Sequence, residues 1–118
     1  MCKNNFVGTF VGTSNQTLLN NDGSVRVTQV NERVTVTVTK QGKNIYLIRT
    51  NYPSNNQNYT VMGTLVSDKI YSLNLKPLPD AYYNIFYFNS KGHLRNHSSG
   101  VIDGKQYARI SKFKRTSS

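Results

Sequence analysis

The sequence predicts an all-β chain folded as an antiparallel up-and-down barrel of about eight to ten strands, and three observations lead there. Apolar residues recur at every second position and are mostly β-branched or aromatic, as in Val34, Val36 and Val38 with Thr35, Thr37 and Thr39 between them. No stretch places its apolar residues at helical spacing. Clusters of Gly, Asn, Asp and Ser cut the alternating segments at near-regular intervals, the pattern of consecutive hairpins.

Each element follows from these rules. Phe6 to Phe10 opens the first strand, and Thr13 to Ser24 forms a polar interval containing Leu18 and Leu19. Ser24 to Val30 alternates as a strand, Asn31-Glu32-Arg33 is short enough for a hairpin connection, and Val34 to Thr39 returns. Gln41 to Asn44 turns the chain into Ile45 to Thr50. Asn51 to Asn58, with Pro53 and four Asn, predicts an exposed loop. Tyr59 to Val66 and Lys69 to Leu75 form the next pair around Ser67-Asp68, after which Pro77 and Pro79 interrupt the ladder for want of an N–H. Tyr82 to Phe88 is the most aromatic strand and leads through Ser90-Lys91-Gly92 into His93-Leu94-Arg95. Asp103-Gly104 marks a final turn before Gln106 to Arg115.

A length of 118 residues predicts one domain over 1–118. Charged residues make up 17% of the chain, too few for a charged disordered tail, but the 15 Lys and Arg against 5 Asp and Glu leave a net charge of +10. Such a charge attracts polyanions at low salt. Trp is absent, so the 8 Tyr and 5 Phe must supply the large side chains of the core. The lone Cys2 has no internal partner, which excludes a disulfide scaffold and suggests a reducing compartment. No run approaches the roughly 20 apolar residues of a membrane helix, and the first residues lack the apolar core of a signal peptide, so the expectation is a cytoplasmic protein. Triplets of the glycosylation type at Asn15, Asn58 and Asn96 carry little weight in so Asn-, Ser- and Thr-rich a chain.

Phe6-Val7-Gly8-Thr9-Phe10, a few residues after Met1-Cys2, resembles the start of the intracellular fatty-acid-binding proteins, which begin Phe-Val-Gly-Thr-Trp, and Gly8-Thr9-Phe10 fits the Gly-x-aromatic element of calycin barrels generally. Val25 to Asn44 is similar to that family's paired second and third strands. Tyr107 to Ser111 resembles its closing strand, where an Arg-x-Tyr pair holds a ligand carboxylate. Arg109 matches the arginine, and Ser111 stands where the family has tyrosine. Thr13 to Ser24 is too short for the family's two-helix lid. The resemblance implies non-enzymatic binding of a fatty-acid-like ligand inside a barrel, with Arg109 and Tyr107 orienting an acidic end, Ser111, Phe113 and Phe10 as further ligand-binding residues, the Phe10 ring plugging one end, and no cofactor.

Alternation places Tyr107, Arg109, Ser111 and Phe113 on one face of the last strand, so an inward Arg109 would need an anionic ligand or a structural acid; an outward one would leave Ala108 and Ile110 facing the core. A second hypothesis is a nucleic-acid or polyanion-binding barrel, for instance of the OB type, that uses Lys91, Arg95, Lys105, Lys112, Lys114 and Arg115 with Tyr82, Tyr83, Phe86, Tyr87 and Phe88 as stacking surfaces. A structural protein pairing through edge strands is a third, and a β-trefoil an alternative fold. Catalysis lacks support: the 5 acids are scattered, and His97, Ser98, Ser99 and Asp103 have no glycine elbow. His93 and His97 fall in a region that Ser90-Lys91-Gly92 and Ser98-Ser99-Gly100 predict as turns, where their spacing does not converge on a metal.

Overall fold

The computed structural model describes residues 5–73, 83–102 and 104–117. Among them eight antiparallel strands close into a barrel in sequence order, with no helix: β1 Gly8–Leu19, β2 Val25–Gly42, β3 Ile45–Tyr52, β4 Gln57–Val66, β5 Lys69–Leu73, β6 Tyr83–Phe88, β7 Leu94–Ile102 and β8 Lys105–Ser117. Closure comes from β8 pairing with β1 in a register that sets Gly12 opposite Phe113 and Leu18 opposite Tyr107. This sequential order is the expected up-and-down barrel and differs from both an OB fold and a β-trefoil.

Turn chemistry accounts for the hairpins. Asn44, Asn56 and Ser67 adopt positive φ in their turns, as do Gly23, Gly92 and Gly104. The expected loop over 51–58 is shorter than its composition suggests, because β3 continues to Tyr52 and β4 begins at Gln57. The predicted segments around Pro77, Pro79, Tyr82 and Asp103 lie outside the described residues.

Two expectations fail for one reason. Thr13 to Leu19 is not an interval between strands but the second half of β1, and Asn31-Glu32-Arg33 is not a hairpin but part of a continuous β2 of 18 residues. Asn31 takes φ 51° inside β2, and between the pairs Ser14–Glu32 and Gln16–Gln29 β2 advances one residue more than β1. That is a β-bulge, and the Asn15 side chain caps the displaced Asn31 N–H at 3.0 Å. A straight strand of that length would run roughly 59 Å at the usual rise, more than the 49 Å long axis of the molecule. Bulging lets the strand curve with the barrel wall. Similarly, Ser98-Ser99-Gly100 lies within β7 and is no turn.

Inward residues at one end form the apolar core. Phe10, Val34, Val36, Val38, Ile48, Ile70, Leu94 and Phe113 are buried there, and Phe88 sits 4.8 Å from Phe6 and 6.2 Å from Phe10 between ring centroids. Gly63 makes room for Ile70, whose Cγ2 would lie 2.3 Å from any Cβ placed there. Arg115 closes this end from below. Its guanidinium lies 4.6 Å from the Phe10 ring centre and donates to the carbonyls of Val7 and Asn5, tying the end of β8 to the segment before β1.

Candidate functional site

Above the core the barrel is hollow. A cavity of about 810 Å³ has Val34, Val36, Phe86 and Phe113 for its floor, and its rim carries the exposed residues Gln29, Asn55, Asn58, Tyr59 and Val101. Between floor and rim the wall is mostly polar, with Gln16, Asn84, Asn96, Ser98, Tyr107 and Ser111 among its residues. The period of two supplies this arrangement: the face of each strand that carries Val or Phe near the closed end carries amides and hydroxyls toward the open one.

β8 places Tyr107, Arg109, Ser111 and Phe113 together on the cavity wall, while Ala108 and Ile110 are exposed outside. Arg109 therefore faces inward. Phe10 does not line the cavity; it is 1% exposed and belongs to the core beneath it, because the register brings β1's early residues to the closed end. Tyr107 packs its ring over Gly100, where a Cβ would come within 2.9 Å of it.

The partner that a buried guanidinium requires comes from the protein. Arg109 Nη1 lies 3.1 Å from Glu32 Oε1, in a pair whose side chains are 16% and 7% exposed. The same nitrogen donates to Ser14 Oγ at 2.9 Å, and Nε and Nη2 both donate to Gln16 Oε1, at 3.0 and 2.7 Å. Tyr52 covers one face of the guanidinium, with 4.8 Å between Cζ and the ring centre. Ser54, from the β3–β4 turn, donates to the second Glu32 oxygen at 3.1 Å. Ser111 donates to Ser14 at 3.1 Å, and Gln16 to Thr28, also at 3.1 Å. One network thus joins β1, β2, β3 and β8.

Burial pushes the Tyr52 phenol above its ordinary value of 10.0; positive Arg109 opposes that shift, negative Glu32 adds to it, and hydrogen bonds with Ser14 and Arg109 oppose it. Beside this network, on the neighbouring β7, Asn96 donates to Ile85 O at 3.0 Å and to Asn84 Oδ1.

Glu32 is the residue of the cavity wall that sequence reasoning misses. Its position next to Asn31 reads as turn polarity, and its partner stands 77 positions away. A weak signal exists: few acids and one inward arginine leave few candidates for a counter-ion.

The basic cluster of the C-terminal third is dispersed by the fold. Arg95, Lys112 and Lys114 face outward and line a shallow hollow of about 350 Å³ with His93, Val11 and Thr13. Lys91 is exposed in the β6–β7 turn, Lys105 starts β8 at the barrel's other end, and Arg115 is committed to Phe10. Phe86 and Phe88 point into the barrel and offer no outer stacking surface. Outward Tyr87 instead bonds His97 Nε2 at 3.0 Å, while Tyr82 lies outside the described residues. No group of three or more potential metal ligands occurs among the described residues. No protein-family model matches the chain, and no curated protein is similar to it by sequence.

Proposed function

We propose that the protein binds a small apolar or amphipathic ligand, of fatty-acid-like shape, inside the barrel and performs no chemistry on it. The observation that carries this reading is the open cavity of about 810 Å³ with an apolar floor and a polar wall. Its size lies within the range that encloses a small ligand. An acyl-like body buried against Val34, Val36, Phe86 and Phe113 gains about 25 cal/mol for each Å² of apolar surface removed from water. Polar groups higher on the wall orient the other end. Kinship with calycin-type binders is part of the proposal, supported by the sequential barrel and by Gly8-Thr9-Phe10 at its closed end.

Titration with the neutral dye N-phenylnaphthylamine tests it. Saturable, salt-insensitive fluorescence enhancement is expected, together with its loss on Val61→Trp, which fills the cavity from β4. A folded wild-type protein that leaves the dye unchanged refutes the cavity reading.

A second reading concerns the outer face. Lys69, Tyr87, Arg95, Lys112, Thr13 and Arg33 are successive cross-strand neighbours from β5 through β6, β7, β8 and β1 to β2. Arg95 and Lys112 lie directly opposite each other, a like-charge pair that costs stability unless an anion lies over it. Arg95 Nε is also buried without a hydrogen-bond partner. A single-stranded nucleic acid laid across this row would supply phosphates to both cations. Anisotropy of a labelled oligonucleotide should then fall steeply with salt, and Lys112→Glu should weaken binding more than Lys105→Glu. Equal effects of the two substitutions would reduce the attraction to net charge alone.

A further inference from the structure

We infer that the cavity selects neutral amphipaths, with a hydroxyl- or amide-bearing polar end, over carboxylates; this rests on the cavity reading and names its ligand class. Arg109 is the cationic residue among those lining the cavity and Glu32 the acidic one. The two are paired at 3.1 Å, so the described wall carries no formal charge even though the chain carries +10. The excess positive charge lies elsewhere.

Hydrogen bonding leads to the same conclusion. Arg109 spends Nε, Nη1 and Nη2 on Gln16, Ser14 and Glu32, and the Tyr52 ring covers one of its faces. A ligand carboxylate entering this wall would lose its hydration, meet a guanidinium already neutralised, and lie near the Glu32 carboxylate. Ser111, which stands where a carboxylate clamp would have its second arm, spends its proton on Ser14. The rest of the wall is uncharged, with the amide of Asn96 and the hydroxyl of Ser98 among its polar groups, chemistry that matches neutral donors and acceptors and not a carboxylate.

Displacement of N-phenylnaphthylamine by matched dodecanoic acid, dodecanol and monododecanoylglycerol, at neutral pH and two salt concentrations, separates the outcomes. At least one neutral competitor should bind about tenfold or more tighter than the acid. Glu32→Gln removes the counter-ion and should shift the preference toward the acid, and Glu32→Gln with Arg109→Gln should restore the preference for neutral ligands. Circular dichroism of each variant establishes that it is folded, and the wild-type ratio stands alone if one is not. Equal or tighter binding of the acid to wild type overturns the neutral selectivity and leaves the cavity reading intact. Failure of the dye to bind at all overturns both.

Discussion

The two ends of this barrel are built from the same strands and filled by opposite chemistry. Below, inward positions hold Phe10, Val38, Ile48, Ile70 and Leu94, packed without polar atoms and sealed by Arg115. Above, the inward positions of the same walls hold Ser14, Gln16, Glu32, Tyr52 and Arg109, joined in one network beside open space, with Asn96 bonded to Asn84 and Ile85. Each end contains an arginine against an aromatic ring. Arg115 has backbone carbonyls for partners and acts as a strap, whereas Arg109 has a carboxylate and lines the cavity. The difference teaches that an alternating strand specifies which face is inward but not whether that face is filled.

Truncation of the filled end should have the largest effect. Phe10→Ala removes a fully buried ring and the surface on which Arg115 rests, and a loss of about 3–5 kcal/mol in urea unfolding is expected. Dye affinity per folded molecule should be unchanged, since Phe10 does not line the cavity. A loss of affinity in a folded variant would mean that the two ends are not independent.

Next comes the seam shared by both ends. A Cβ on Gly12 would sit 1.7 Å from the Lys112 carbonyl oxygen, a backbone atom that cannot move aside. Gly12→Ala should therefore part β1 from β8 and cost about 3 kcal/mol, at the upper end for overpacking. Unchanged thermal stability would show that the seam relaxes.

At the open end, Glu32→Gln leaves Arg109 without its counter-charge and should cost about 3 kcal/mol, the low end for a broken buried pair because the cavity admits solvent. Replacing both, as Glu32→Gln with Arg109→Met, should recover most of that loss. A double variant as unstable as the single one would assign the cost to packing and not to charge.

The smallest effect is expected in alkali. Burial raises the Tyr52 phenol above 10.0, so the folded chain holds that proton more tightly than the unfolded chain. Its contribution is fully present below pH 10.0 and is lost as pH rises from there through the raised folded-state value. Tyr52→Phe should flatten that part of the stability curve; an unaltered alkaline slope would place the titration elsewhere.

Much of the fold was legible because alternation is local. Val34, Val36 and Val38 declared their face within a few residues, whereas Tyr107, Arg109, Ser111 and Phe113 declared only that they share one face of β8, and not whether it points inward. The bulge was not legible: Asn31 with two polar neighbours carries the same signature as a hairpin turn, since both use asparagine's tolerance of positive φ. Only pairing with β1, through the Asn15 cap, decides between them. The site was half legible. Arg109 could be placed on a face, but its partner lies on a strand that contributes through the same bulge.

By itself the sequence determined the strand class, the inward face of the clear strands and the excess of positive charge, because these depend on neighbours two residues apart or on counting. Tertiary structure decided how many segments merged into β2, which aromatics filled the core, and that Arg109 meets Glu32. Those outcomes depend on register between distant strands, and a shift of one residue would turn each of these side chains to the other face.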